Sequence, residues 1–437
     1  MLKVLFSLFC VLICQSPLVW ATAGSGQQPV LRINTEAHTA AIRQIAVDRK
    51  ANIVATVSDD KTLRIWTLPD LRLKRVIRPP IGPRIDGQLL TVSISPVSGF
   101  IAVGGNTGNR TKSIYVFDPD SGELKNTLRG LPNTITALSF SDDGRYLAAL
   151  VGGQHGLRVW ATDGWELIDG DLEYGGAAYG IDFSIDGKLI TTSDDGLIRL
   201  YDKNLGLSTA IKAPSGLTPF GVEFSPDGTK VALGYVDSSW VTVLSAEDLS
   251  VVATYRNGEV KGDFSSVTWA RNGDYLYGAG TFIGKDDDER LYRVRRWGQN
   301  GDAEDLSLKG TMSTVMSLAA VSDQGVALVT ADATLGMLSA DSWYGRKPET
   351  LDYKGEDRRL WLSPNGDQLF VEFGNSDKGA VFSIQDRSFY AVDRPPRGFS
   401  PPKTDIRRLD LQDPLYPTFK SLNITLQPYE VARSVAS

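Results

Sequence analysis

A tight turn of the form Ser-x-x-Gly recurs along the chain at nearly constant intervals. Clear copies are Ser141–Gly144, Ser184–Gly187 and Ser225–Gly228. Other copies, some degenerate, are Val47–Lys50, Ser95–Gly99, Ala270–Gly273, Ser322–Gly325 and Ser363–Gly366. From Gly144 to Gly366, successive turn glycines are 43, 41, 45, 52 and 41 residues apart. A fixed period of this length indicates a repeat architecture, in which each unit buries its apolar face against its neighbours.

Short runs after each turn predict β-strands. In the first copy Ile53–Ser58 is apolar and β-branched, as in a strand buried on both faces, and Leu63–Trp66 alternates with period two. The fourth copy repeats both runs as Leu189–Ser193 and Leu197–Tyr201. A repeat of about 40–45 residues with several short strands predicts an all-β protein, a β-propeller with four-stranded blades. Eight copies predict about eight blades, and the alternative is seven blades plus an extra repeat.

The first copy resembles the WD40 family at Ser58–Trp66, with His38 upstream. The resemblance extends over residues 30–392 and implies a buried hydrogen-bonded tetrad that stiffens the first blade. Its members would be His38, Thr56 or Ser58, Asp60 and Trp66. The fourth copy has Tyr201 in place of the tryptophan, and most blades are expected to depend on apolar packing. The resemblance also implies that Val30–Asn34 closes the ring by joining the last blade.

The first 23 residues have the features of a secretory signal peptide. Lys3 precedes the apolar run Val4–Ile13, and Ala21–Ala23 offers a cleavage site of small residues. The alternative is an uncleaved anchor, which the short run and Gln15–Pro17 disfavour. Both cysteines lie in this segment, so the mature chain forms no disulfide and no thiolate metal site. We expect an exported bacterial protein, periplasmic or extracellular, without a membrane span after cleavage.

The predicted propeller spans residues 24–392 and is followed by a different kind of sequence. Residues 393–420 begin with a proline-rich stretch that predicts an extended linker. Residues 421–437 look like the start of a further, incomplete repeat. The arrangement resembles exported bacterial WD40 proteins, some of which carry a caspase-like peptidase domain that this sequence lacks. One alternative is therefore that the chain is the binding half of a larger, truncated exported protein.

Catalytic and metal-binding signals are sparse. The chain has two histidines and no Gly-x-Ser-x-Gly elbow, which disfavours a serine hydrolase triad and a histidine-rich metal centre. The acidic run Asp286, Asp287, Asp288 and Glu289 is a candidate cation site, with a solvated loop as the favoured interpretation. We predict no cofactor. The net charge of −6, without a basic tract, argues against nucleic acid as a partner.

The rim of the central channel is the predicted binding surface. We expect it to be lined by residues placed two before the central apolar residue of each innermost strand: Arg43, Leu90, Thr136, Tyr179, Phe220, Ser265, Ser317 and Arg358. Arg43, Tyr179, Phe220 and Arg358 are of types enriched in binding hot spots. The alternative is that these residues fill the channel or pack between blades. The sequence thus predicts a non-catalytic platform for a protein or peptide. The alternative function is a lactonase-like propeller hydrolase with a cation or carboxylates in the channel.

Overall fold

The fold was analysed in a computed structural model of the chain. It describes residues 37–48, 50–108, 110–256, 262–285, 290–308, 313–340, 342–346, 360–372, 379–383, 388–392 and 396–398. The chain divides into two compact units. One unit is Thr35–Glu349, and the other combines Met1–Asn34 with Thr350–Ser437.

The Thr35–Glu349 unit is built from consecutive antiparallel sheets, which we call blades 1 to 7. Blade 1 contains β1 (Ile42–Asp48), β2 (Ile53–Ser58), β3 (Leu63–Thr67) and β4 (Arg72–Ile77). Blade 2 contains β5 (Leu89–Ile94), β6 (Ile101–Gly105), β7 (Lys112–Phe117) and β8 (Leu124–Leu131). Blade 3 contains β9 (Ile135–Phe140), β10 (Tyr146–Val151), β11 (Leu157–Ala161) and β12 (Leu167–Asp169). Blade 4 contains β13 (Ala178–Phe183), β14 (Leu189–Ser193), β15 (Leu197–Tyr201) and β16 (Leu207–Lys212).

The remaining three blades follow the same order. A 3₁₀ turn at Pro214–Gly216 leads into blade 5, with β17 (Pro219–Phe224), β18 (Lys230–Tyr235), β19 (Trp240–Ser245) and β20 (Val251–Arg256). Blade 6 contains β21 (Ser266–Trp269), β22 (Tyr275–Ala279), a short β23 (Ile283–Lys285) paired with β24 (Arg290–Gly298), and β25 (Ala303–Ser307). Blade 7 contains β26 (Val315–Ala320), β27 (Gly325–Thr330), β28 (Leu335–Ser339) and β29 (Trp343–Arg346).

Seven blades close the ring. The first strand of each blade contacts the first strand of the next, and β26 and β27 of blade 7 contact β1. An apolar cluster joins Val329 and Leu335 of blade 7 to Ile42 and Trp66 of blade 1. The ring is therefore the seven-bladed alternative that the sequence left open, rather than the favoured ring of about eight. The segment Val30–Asn34, expected to close the ring, lies outside the described residues.

The eighth copy of the repeat belongs to the other compact unit. It forms a four-stranded sheet of β30 (Leu360–Leu362), β31 (Gln368–Glu372), β32 (Gly379–Ser383) and β33 (Ser388–Val392). Its turn repeats the motif, because Ser363 Oγ accepts the Gln368 N–H at 2.9 Å, as Ser225 Oγ accepts the Lys230 N–H. Ser363 Oγ also donates at 2.8 Å to Asp367 Oδ1, which lies four residues on. The eighth copy is thus a genuine repeat, and the seven-bladed ring closes within the first unit.

The Ser-x-x-Gly turns join the first and second strands of their blades and stack from blade to blade. In blade 3 the Ser141 hydroxyl donates to Asp143 at 2.7 Å and accepts the Tyr146 N–H at 2.9 Å, which fixes the hairpin. Gly144 has φ +71°, a conformation that favours glycine. A Cβ at Gly144 would lie 2.8 Å from Val97 Cβ of the preceding blade. The glycine therefore serves both the turn and the packing between blades.

Polar side chains on the innermost strands link each blade to the next. An innermost strand lacks a partner on one edge, so its N–H groups need other acceptors. Gln44 Oε1 accepts the Val92 N–H at 2.8 Å, and Ser93 Oγ accepts the Phe140 N–H at 3.1 Å. On the other side of the ring, Ser266 Oγ accepts the Leu318 N–H at 3.0 Å. These bonds account for polar residues on strands that otherwise carry the apolar core.

Candidate functional site

The predicted tetrad is assembled in blade 1, with Thr56 at its centre. The Trp66 Nε1–H donates to Thr56 Oγ1 at 2.8 Å, and Thr56 Oγ1 lies 2.7 Å from His38 Nε2. His38 Nδ1 lies 2.9 Å from Asp60 Oδ2. Because Asp60 accepts from Nδ1, Nε2 is the acceptor for the Thr56 hydroxyl, and the bonds run in one direction from Trp66 to Asp60. Ser58, the other candidate, instead donates to the Ala40 carbonyl at 3.0 Å.

Burial sets the charges of this network. Burial lowers the pKa of His38 despite its hydrogen bond to Asp60, so the imidazole stays neutral at pH 7. Burial alone would raise the pKa of Asp60, but hydrogen bonds from His38 and Thr62, together with Arg64, hold it well below its usual range. Asp60 also accepts the Thr39 N–H at 3.1 Å and the Thr62 N–H at 3.0 Å. The network links the end of β2 to the segment before β1, and we interpret its role as structural.

Blade 4 contains a related network with different residues. The Tyr174 hydroxyl lies 2.7 Å from Thr191 Oγ1 and 2.9 Å from the Tyr201 hydroxyl, which donates to Asp171 at 2.7 Å. Arg199 pairs with Asp195 at 2.7 Å. Burial raises the pKa of Tyr174 to about 12. Tyr174 thus takes the place that His38 has in blade 1, a substitution that the sequence pattern did not reveal.

The candidate binding surface is the rim of the channel at the end where β1 and its equivalents begin. In six blades the register between the first two strands shifts at one rim position. The bulged rim residues are Arg43, Leu90, Thr136, Tyr179, Phe220 and Met316. Ser265 holds the position in blade 6, and all seven side chains are half-buried behind a buried residue. A β-bulge re-aims a side chain and ends regular pairing, so each blade presents one side chain at the rim.

One predicted rim position differs from the expectation, and two other predictions lie outside the described residues. In blade 7 the bulged residue is Met316, whereas Ser317 pairs with Val329 and is buried. The predicted rim position in blade 7 is therefore one residue too far along the strand. Arg358 lies outside the described residues, as does the acidic run Asp286–Glu289.

The side chain of Arg43 is held by its own blade. Its Nε donates to Asp59 Oδ1 at 3.0 Å and its Nη2 to Asp59 Oδ2 at 2.5 Å. Asp59 raises the pKa of Arg43 through the same bonds. This bidentate pair orients the guanidinium along the rim and neutralises its charge.

Tyr179 and Phe220 form an aromatic pair at the rim. Their rings stack with centroids 4.9 Å apart and an interplanar angle of 23°, and neither ring is fully buried. The close approach depends on Gly180, since a Cβ there would lie 2.2 Å from the Phe220 carbonyl oxygen. Asp194, which is exposed, lies beside this pair, because its N–H donates to the carbonyl of Ala177, two residues before Tyr179, at 2.8 Å. Burial and the neighbouring Asp195 raise the pKa of Asp194. The structure therefore brings Tyr179 and Phe220 together, and places Arg43 on another blade.

Two carboxylates lie deeper, on adjacent innermost strands. Asp182 Oδ2 accepts the Phe224 N–H at 2.8 Å, and Glu223 Oε1 accepts the Trp269 N–H at 3.2 Å. Burial, and then the charge of Glu223, raise the pKa of Asp182 well above its usual range. Both carboxylates thus act as links between blades. Within the described stretches, no group of three or more His, Cys, Asp or Glu side chains is placed to hold a metal ion.

A second concave surface lies at the opposite end of the ring. A cleft of about 880 Å³ between blades 7 and 1 is lined by Leu68, Pro69, Met337 and Tyr344, among others. Unlike the rim, this cleft does not receive one side chain from every blade, and it is open to solvent. Across the part of the chain with described structure, no helix has the length and apolar character needed to cross a membrane.

Comparison with known proteins identifies the repeats. A family profile described as WD domain, G-beta repeat matches residues 29–67, 122–161 and 173–202, which include strands of blades 1 to 4. Protein tipD of Dictyostelium discoideum is 24% identical over 189 residues, which cover 42% of this chain and 29% of that protein. Transcription initiation factor TFIID subunit 5 of Caenorhabditis elegans is 27% identical over 163 residues, 36% of this chain and 23% of that protein. The chain spans less than a third of the length of either relative. It carries WD40 repeats in a seven-bladed β-propeller.

Proposed function

From WD40 repeats arranged in a seven-bladed ring, we infer that this chain is a non-catalytic platform that binds a protein or peptide at the channel rim. The observation that carries the proposal is the row of half-buried rim residues, one from each blade, six of them on β-bulges. Side chains held this way by a rigid ring lose little conformational freedom on binding. One relative is named as a subunit of a transcription initiation factor, and so as a component of a larger assembly.

Export belongs to the proposal as well. It rests on the signal-peptide features of residues 1–23 and places the mature protein in the periplasm or outside the cell. Sequencing the N-terminus of the protein purified from its own cell tests this part. A terminus at Gly24 supports export, and a terminus at Met1 contradicts it.

Photo-crosslinking tests the binding surface. A photoreactive phenylalanine derivative replaces Leu90 or Met316 at the rim, one at a time, in the full chain. Matched controls carry it at Leu124 or Leu207, which lie on the outer strands and are 46% and 53% exposed. We expect the rim positions to give a discrete adduct with one partner, and the purified partner to bind the unmodified chain. Adducts of equal yield at the outer strands, or none at the rim, would contradict the proposal.

A further inference from the structure

The loops at the rim end of the ring carry opposite charges on its two sides. In blades 4 and 5 these loops are residues 170–177, 194–196, 213–218 and 236–239, and they contain five carboxylates and no Lys or Arg. The corresponding loops of blades 1 and 2, residues 59–62, 78–88 and 106–111, contain four basic and three acidic residues. The side of the rim that holds Tyr179 and Phe220 is therefore the acidic side.

Some of these carboxylates already have partners within the protein. Asp195 pairs with Arg199, and Asp171 accepts the Tyr201 hydroxyl. Asp237 accepts the Thr218 N–H and stays exposed, as do Glu173 and Asp194. The Asp194 N–H donates to the Ala177 carbonyl at 2.8 Å, which keeps this exposed carboxylate close to Tyr179. Negative charge thus remains next to the aromatic pair.

We propose that the pair Tyr179–Phe220, with Asp194 at its edge, holds an Arg or Lys side chain of a basic segment in the partner. This inference rests on the proposed platform function and names the chemistry of its partner. A guanidinium or ammonium group placed over an aromatic face is attracted by the ring quadrupole, and a guanidinium also pairs with a carboxylate through two N–H donors. The two contacts are available together here, because the backbone bond from Asp194 to Ala177 keeps this carboxylate near Tyr179 of the stacked pair.

Residue types at the other rim positions make this site selective. Arg43 is neutralised by Asp59 at 2.5 Å and lies in blade 1, and Leu90 and Met316 offer apolar contact. An acidic segment would meet the carboxylates of blades 4 and 5 with like charge, which costs binding free energy. A basic segment would pair with the carboxylates of blades 4 and 5 when its cation binds at Tyr179–Phe220. The rest of the segment would then cross the rim to the apolar residues Leu90 and Met316.

Peptide pools test the proposal with the full chain. The probes are fluorescent seven-residue pools that are degenerate except for a central Arg, Lys, citrulline or Glu. Citrulline keeps the shape of arginine without its charge. We expect the Arg and Lys pools to bind, the citrulline pool to bind about tenfold more weakly, and the Glu pool to bind more weakly still. Equal binding of the Arg and citrulline pools, or no binding of the Arg and Lys pools, would overturn the proposal.

Variants locate the site. Asp194→Asn should weaken binding of the Arg pool about tenfold, and Phe220→Leu, which keeps the apolar bulk, should weaken it about two- to tenfold. The matched controls are Asp248→Asn and Tyr344→Ala, an exposed carboxylate and an exposed aromatic at the opposite end of the ring, and neither should change binding. An unchanged affinity of Asp194→Asn would refute the site. If rim crosslinking succeeds while basic peptides fail to bind, the platform stands and the partner chemistry is wrong. If crosslinking also fails, both are wrong.

Discussion

Replacement of Thr56 by Val tests the network that organises blade 1. The side chain is fully buried, and its hydroxyl accepts from Trp66 Nε1 at 2.8 Å and lies 2.7 Å from His38 Nε2. Valine keeps the shape of threonine but leaves the indole N–H and the imidazole nitrogen without a partner. A buried polar group that loses its partner costs about 1–3 kcal/mol, so the two together predict a loss of about 2–6 kcal/mol in the free energy of unfolding.

The same substitution at Thr91 is the matched control. Thr91 is also fully buried, on β5 of blade 2, and among the described residues its hydroxyl has no hydrogen-bond partner. Thr91→Val therefore removes no bond and no longer buries a polar group. We expect its free energy of unfolding to be unchanged or raised by about 1 kcal/mol. Thr56→Val and Thr91→Val make the same atomic change, so the difference between them isolates the network.

Urea unfolding of the full-length variants, followed by tryptophan fluorescence, measures both values. We expect Thr56→Val to have the lowest free energy of unfolding, with wild type and Thr91→Val above it. If Thr56→Val unfolds at the same urea concentration as Thr91→Val, the hydrogen bonds of the tetrad do not stabilise the blade. The proposed stabilising role of the hydrogen bonds that run from Trp66 to Asp60 would then be refuted.

Three further predictions concern stability. His38→Gln should be less stable than wild type at pH 7. The difference between their free energies of unfolding should shrink by up to about 1.4 kcal/mol per pH unit below pH 6.5. The reason is that the pKa of His38 is lower in the folded state than in the unfolded state, so wild type loses stability as the pH falls. A difference in free energy of unfolding that stays constant from pH 7 to pH 5 in urea unfolding would contradict this prediction. Asp182→Asn should be more stable than wild type at pH 8 and equal to it below pH 4, because the raised pKa makes ionisation of Asp182 unfavourable to the fold; thermal melting at both pH values measures this. Gly144→Ala should cost more stability than Gly196→Ala, since both have positive φ but only Gly144 faces Val97, and Val97→Ala should recover part of the difference; equal melting temperatures would count against the clash.

The repeat made the architecture predictable from the sequence. The Ser-x-x-Gly turns and the apolar strands beside them recur because every blade must make the same hairpin and bury the same faces. The number of blades was not predictable in the same way. The copy around Ser363–Gly366 closes its turn as the others do, since Ser363 accepts the Gln368 N–H as Ser225 accepts the Lys230 N–H. Ring closure depends instead on contacts between β26 and β1, which are remote in sequence and leave no motif in either strand.

The candidate site was partly predictable. Alternation of apolar residues along the innermost strands located Arg43, Tyr179 and Phe220 at the rim, where a half-buried residue follows a buried one. The partners of these residues were missed, because Asp59 and Asp194 come from turns after the second strand of each blade. The repeat nevertheless contained a signal for them. Ser58-Asp59-Asp60 and Ser193-Asp194-Asp195 are the same tripeptide at equivalent positions, and the middle residue lies near the rim residue in both blades.

The measurement that tests the central claim most directly is amide hydrogen exchange of the full chain, with and without the partner identified by rim crosslinking. The account predicts slower exchange on binding in the loops at residues 170–177, 194–196 and 213–218, which surround Tyr179 and Phe220. Slower exchange confined to the Ser-x-x-Gly turns at the opposite end, or to the outer strands, would contradict the claim that the rim is the binding surface.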